Sequence, residues 1–173
     1  INKTCLLFSR QVLYFWKRIK LPDIFKKKIQ KIQYMKTRFI LYGLMGWCLE
    51  VFWTGLGSLI RGDATLHGWT YIWMFPIYGL AILLEPVHDR IRSWPVIARG
   101  GVYTVLIFAI EYVTGTALRM LLGVCPWDYS ASSPYSIHGV IRLDFAPFWF
   151  VVGLLFEKVH DALVGMNRLK KAS

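Results

Sequence analysis

EPVHD at residues 85–89 and EKVHD at residues 157–161 are two copies of one pattern, Glu-x-Val-His-Asp, and each directly follows an apolar run. Setting Glu85 against Glu157 brings more of the chain into step. Pro76 meets Pro147, each nine residues after a His-Gly pair, His67–Gly68 and His138–Gly139. Further back, EVFWTG at 50–55 matches EYVTG at 111–115 with an offset of one residue. All four histidines fall on this pattern. Each half therefore reads as a span with a central Glu, Thr-Gly, an outer loop, His-Gly, a span with Pro, and Glu-x-Val-His-Asp. Such self-similarity is the mark of a duplicated two-helix hairpin. A unit with an even number of spans enters from the same side each time, so the two copies are expected to be parallel, related by an axis along the membrane normal.

Composition sets the solvent. The chain is 55% hydrophobic with mean hydropathy +0.42 and carries eight Trp, nine Tyr and eleven Phe, more apolar area than a soluble domain of 173 residues can bury. The apolar residues form the runs 39–60, 69–84, 96–124 and 143–164. A helix crosses the hydrocarbon with about 20 residues at ~1.5 Å rise each, which the first and third runs satisfy. The second ends at Glu85 and the fourth is interrupted between Asp144 and Glu157, so these two span only with their charged ends snorkelling or sheltered. The expectation is an all-α integral membrane protein of four helices, repeat 1 at about 39–92 and repeat 2 at about 96–164.

Charge gives the orientation. With both termini cytoplasmic, 18 of the 21 Lys and Arg lie inside, leaving Arg61, Arg119 and Arg142 outside. Residues 1–38 hold eleven of these bases against the single acid Asp23. Phe25, Ile29 and Ile32 recur there at i, i+4, i+7, an apolar stripe beside lysines that suits an interfacial helix on anionic lipid. Lys17–Arg18 and Lys26–Lys28 are the only footing for a polyanion, and no nucleic-acid partner is expected. Residues 165–173 form a basic tail. The start lacks a small-residue cleavage site, so no signal peptide is expected. Cys5, Cys48 and Cys125 share no C-x-x-C spacing, which leaves redox and zinc motifs without support.

Glu50 and Glu111 stand near the middle of their spans, where a carboxylate costs at least ~2.5 kcal/mol. The repeat axis brings them to opposite sides of one centre, a candidate site for a proton, a cation or a cationic head group. Alternatively each bonds a Trp, Tyr or backbone partner and locks helices. Arg119, eight residues after Glu111, either pairs with an acid or awaits an anion, or snorkels to the outer interface. His67 and His138 open the second span of each hairpin. Two imidazoles fall short of the three or four ligands a metal needs, so they are read as caps or loop contacts, and no metal or cofactor is expected. The Glu-x-Val-His-Asp copies are read as a polar collar ending each helix, against a pH-responsive network. CPWDYS at 125–130 is dense in turn formers: Trp127 and Tyr129 suit interfacial anchors, Asp128 suits an Asx-turn, and the segment suits a lid over the outer mouth. No P-loop, G-x-S-x-G or H-E-x-x-H occurs, which removes ATP hydrolysis and the common hydrolase chemistries.

GWCLEV, EYVTGTALR, CPWDYS and HGVIRLDFAPFWF resemble the ABC-transporter type IV permease-like (CmpB-like) membrane family, related to the transmembrane protein 229 group. The resemblance covers about 39–163 and leaves the basic arm outside. It implies a small multi-pass protein and marks Glu50, Glu111, Arg119, Trp127, Asp128 and Tyr129 as family-pattern positions. It also implies a separate ATPase subunit on the cytoplasmic side. With a core of about 125 residues, a homo-oligomer or a partner membrane chain is expected, with membrane lipids around it. The function these features favour is a small-molecule or ion binding, transport-associated component. The alternatives are a non-transporting scaffold or regulator whose arm reads anionic lipid, and a small intramembrane lipid-modifying enzyme, the non-enzymatic readings being preferred.

Overall fold

The computed structural model describes residues 22–172, with side chains through residue 167. Cys5 and Lys17–Arg18 lie outside the described residues, as do the side chains of Arg168, Lys170 and Lys171. The chain divides into two compact units, Ile1–Thr37 and Arg38–Ser173. In the first unit the stripe residues Phe25, Ile29 and Ile32 are all exposed, and Lys26 pairs with Asp23 at 3.3 Å.

Helix α1 runs Asp23–Ile60 without a break. After a loop, α2 (Met74–Gly79), a 3₁₀ stretch (Leu80–Leu84) and α3 (Glu85–Ile91) follow one another directly. Helix α4 is Val96–Leu122 and α5 is Ala146–Ala172. The chain is thus mostly helical, and α1 and α4 are long and apolar enough to cross a membrane by length and composition. The second and fourth helices start later than the apolar runs suggest, at Met74 and Ala146 rather than residues 69 and 143. Loop bonds account for the first delay: Thr54 Oγ1 donates to the Trp69 carbonyl at 2.8 Å and accepts from the Trp69 N–H at 2.9 Å, tying residue 69 alongside α1.

Each hairpin closes around a ring set over a glycine. The Phe39 ring of α1 lies where a Cβ on Gly79 of α2 would stand, 2.7 Å away, and the Phe150 ring of α5 covers Gly100 of α4. Missing side chains let helix axes approach closely, which is how helices pack when no water is squeezed out between them. Tyr103 likewise sits over Gly153, and Tyr78 over Gly46.

The 3₁₀ stretch has a cause in the sequence. Pro86 has no N–H and its ring crowds the carbonyl four residues back, which disfavours α geometry there. The Glu85 N–H accordingly bonds the Ile82 carbonyl, an i→i−3 bond. Lys158 occupies the matching position, and α5 passes through it as uninterrupted α-helix. From Pro76 to Glu85 is also one residue shorter than from Pro147 to Glu157. Five residues at 3.0 per turn rotate roughly 100° further than five at 3.6 per turn, about the turn of one missing α residue. The tighter winding thus returns Glu85 and His88 to the azimuth held by Glu157 and His160.

Polarity is inverted relative to a water-soluble domain. Large apolar side chains such as Phe52, Ile60, Ile97, Met120 and Leu121 are exposed. The buried set includes Arg38, Glu85, His88, Glu111, Glu157 and His160.

Candidate functional site

A cavity of about 620 Å³ lies among the helices, lined mainly by apolar and aromatic side chains. α1 brings Glu50 to it and α4 brings Glu111. The Tyr78 hydroxyl donates to Glu50 Oε2 at 2.9 Å. Glu111 is 7% exposed, and the Trp149 side chain, whose indole N–H is buried, interacts with its carboxyl. Trp53, Trp69, Trp127 and Trp149 share the lining, and Trp53 stacks on Phe148 with centroids 4.4 Å apart.

The segment after α4 closes one side of this cavity. Trp127, Asp128 and Tyr129 line it, together with Arg142 and Phe145. Strands β1 (Ser136–Ile137) and β2 (Ile141–Arg142) pair antiparallel, Ser136 against Arg142 and Ile137 against Ile141. The tight turn between them puts Gly139 at φ +66°, and a Cβ there would strike Asp128 Oδ1 and Ser130 Oγ. Asp128 Oδ1 accepts the Ser130 N–H at 2.8 Å, an Asx-turn, and the Ser130 hydroxyl together with this N–H holds its carboxyl below the usual range. Trp127 is buried and donates from Nε1 to the Val140 carbonyl at 2.9 Å. Asp63 in the first outer loop is similarly lowered by hydrogen bonds from Thr65.

The remaining candidates go elsewhere. Arg119 NH1 donates to the His138 carbonyl at 2.8 Å, so it meets a loop carbonyl rather than an acid. His138 takes φ +52° and faces the Tyr112 hydroxyl at 2.8 Å, exposed in the loop before α5. His67 is exposed in the loop before α2. Because both helices start several residues after these histidines, neither opens a helix and neither lines the cavity.

The Glu-x-Val-His-Asp copies are not a plain collar. α5 continues through its copy to Ala172, and the Glu and His of each copy are buried while Asp89 and Lys158 stay exposed. Glu85 Oε1 accepts the Tyr42 hydroxyl at 2.7 Å, with Arg38 Nε at 3.7 Å and His160 Nδ1 at 3.3 Å. Glu157 takes Arg99 through Nε at 2.7 Å and NH2 at 3.1 Å, with His88 Nδ1 at 3.6 Å. His88 Nδ1 also meets the Tyr103 hydroxyl at 3.0 Å. The same partner set, Arg, Tyr four residues on, Glu, and the other copy's His, therefore occurs twice. The histidines are exchanged between the copies, and their rings meet at 5.3 Å. Arg38-x-x-x-Tyr42 and Arg99-x-x-x-Tyr103 were the sequence signal for this cluster, because Glu50 and Glu111 stand twelve residues after the respective Arg.

No solved structure matches the chain. A family model described as "Putative ABC-transporter type IV" (CmpB) matches residues 37–172, which takes in α4, α5, the cavity and both Glu-x-Val-His-Asp copies. With that match running over most of its length, the chain belongs to the ABC-transporter type IV, CmpB, family.

Proposed function

We propose that this is a multi-pass membrane protein that binds a small organic cation in its central cavity, on Glu50 and Glu111, as a transport-associated component. The observation that carries the reading is the pairing of two carboxylates, one from α1 and one from α4, in a cavity otherwise walled by aromatic and aliphatic side chains. A volume of about 620 Å³ suits a ligand of drug-like size. Apolar walls accept an organic body, indole faces attract a cation, and in this reading Glu50 and Glu111 supply its counter-charge.

Membrane placement rests on the inverted polarity and on α1 and α4, in each of which only 17% of the most apolar stretch is buried. The core helix of a soluble protein is mostly buried instead. The doubled Arg–Tyr–Glu–His partner set supports the tandem parallel hairpins, and the 18 to 3 division of basic residues supports both termini being cytoplasmic. The cap of Trp127, Asp128 and Tyr129 acts in this reading as the outer lid. Arg119, His67 and His138 serve the loops that hold it. The family name points to an ATPase partner, yet the segment between α3 and α4 is only Arg92–Pro95, short for a coupling element. Assembly with a second copy or another membrane chain is the better-supported partnership, given the exposed apolar faces.

Native mass spectrometry of the chain released from mild detergent tests the reading. A co-purified small molecule present on wild type and absent from the Glu50→Gln/Glu111→Gln variant is the expected result. Identical ligand-free spectra, with the same oligomer in both, would instead make the buried acids helix locks of a scaffold.

A further inference from the structure

Beyond Tyr42 and Phe156, which line that cavity, the cluster of the two Glu-x-Val-His-Asp copies groups potential metal ligands. One ligand atom from each of His88, His160 and Asp161 lies within 4.8 Å of the other two. His88 is 2% exposed and His160 4%, so these are built positions rather than surface coincidences. His88 Nε2 is buried and has no hydrogen-bond partner among the described residues.

One tautomer suits both rings to a metal. His88 Nδ1 faces the Tyr103 hydroxyl and Glu157, and His160 Nδ1 faces the Tyr42 hydroxyl and Glu85, so a proton placed on each Nδ1 points at an oxygen. That leaves a lone pair on each Nε2, and an Nδ1–H held by a carboxylate is the usual support of a ligating histidine. Each Nε2 then faces a second carboxylate: His88 meets Asp161 Oδ1 at 3.5 Å and His160 meets Asp89 Oδ1 at 3.8 Å. Both separations exceed a hydrogen bond, and a lone pair opposite a carboxylate is repulsive without a positive charge between them. Ligand bonds of ~2.0–2.1 Å in a tetrahedral shell put neighbouring ligand atoms about 3.3 Å apart. The His88–Asp161 spacing is close to that edge, and Asp161 Oδ2 is meanwhile held by Arg92 at 2.5 Å.

We propose that His88 Nε2, His160 Nε2 and Asp161 Oδ1 bind a divalent transition-metal ion of the zinc class, with a water completing the shell. The ion ties α3 to α5, one Glu-x-Val-His-Asp copy to the other, and so locks the two hairpins at this end. Imidazole with carboxylate suits zinc and its first-row neighbours, whereas calcium and magnesium take all-oxygen shells.

The test uses the full chain in detergent, stripped with EDTA, reloaded with Zn(II) and desalted, with metal per chain read by plasma mass spectrometry. Wild type is expected to retain about one ion per chain, to melt at higher temperature when loaded, and to give the ligand-field bands of tetrahedral Co(II) when loaded with cobalt. Asp161→Asn, a half-exposed position that changes no volume, is expected to weaken Zn(II) at least about tenfold. His88→Gln/His160→Gln is expected to retain almost none. Should that buried pair fail to fold, Asp161→Asn decides alone. His67→Gln/His138→Gln and Glu50→Gln/Glu111→Gln are expected to keep the ion, which separates this site from the outer loops and from the cavity. A folded wild type that retains no ion, or equal retention in the Asp161→Asn chain, overturns the proposal.

Discussion

Replacing Tyr42 by Phe removes one oxygen from a buried network and leaves the packing in place. The ring is 4% exposed and packs against Phe156 with centroids 5.3 Å apart, contacts that Phe preserves. The main lost interaction is the 2.7 Å donation to Glu85 Oε1, and with it go the longer contacts of the hydroxyl to Arg38 at 3.5 Å and His160 Nδ1 at 3.3 Å. A hydrogen bond to a charged acceptor contributes about 1.5–3 kcal/mol. Arg38 at 3.7 Å and His160 at 3.3 Å still attend the carboxylate, so it is not stranded. The cost should therefore lie in the lower half of that range, about 1.5–2 kcal/mol, or roughly ten- to thirtyfold in the unfolding constant. Tyr103→Phe removes the 3.0 Å contact to His88 Nδ1 together with the hydroxyl's hydrogen bond to Glu157, and should likewise cost about 1.5–3 kcal/mol. Steric-trap unfolding in bicelles measures both. A cycle with Glu85→Gln should return a Tyr42–Glu85 coupling of about 1 kcal/mol or more. A Tyr42→Phe chain within about 0.5 kcal/mol of wild type, with no coupling to Glu85, would refute the network as a source of stability.

Other consequences are open to direct measurement. Gly139→Val forces a β-branched residue to φ +66° against Asp128 and Ser130, and should loosen the cap at a cost of roughly 1–3 kcal/mol, visible as a red shift of Trp127 emission. The lowered Asp128 carboxyl contributes to cap order in full above its unfolded pKa near ~3.9, and that contribution fades as pH falls through the lower folded value. Near-ultraviolet circular dichroism between pH 5 and the acid limit should show this loss, and Asp128→Asn should remove the dependence. Pro86→Lys lets residues 80–84 relax toward α-helix and turns His88 away from Glu157. It should lower the melting temperature although a mid-helix proline is being removed, and inserting one alanine after Ile82 should recover part of the loss.

The doubled pattern was legible because it rests on residue identity: Pro76 and Pro147 each stand nine residues after the histidine of a His-Gly pair, and Glu85 and Glu157 each stand three residues before a His-Asp pair. Long apolar runs likewise located α1 and α4, since nothing but helix satisfies their backbone in hydrocarbon. Helix starts were misjudged where a side chain competes for the backbone. Thr54 holds Trp69 in the loop, and apolar content alone cannot register that bond. The cavity acids were found from their depth in the spans, but the nearness of Trp127 and Tyr129 to them is a tertiary fact. The inner cluster was underestimated because a polar collar and an interlocked core have the same composition. Only the exchange of His88 and His160 between copies separates them, and exchange leaves no trace in linear spacing. The 3₁₀ compensation is readable in retrospect from Pro86 and the single missing residue.

The central claim is that Glu50 and Glu111 make the cavity a cation site. A quaternary ammonium with an apolar body, benzyltrimethylammonium, and its neutral carbon isostere can be titrated into the chain in nanodiscs, with quenching of the cavity tryptophans as the readout. The account predicts saturable binding of the ammonium and little of the isostere. Breaking a buried ion pair costs about 3–5 kcal/mol, which implies at least a hundredfold loss of affinity in Glu50→Gln/Glu111→Gln. Equal binding of ammonium and isostere, or an affinity unchanged in the double variant, would contradict it.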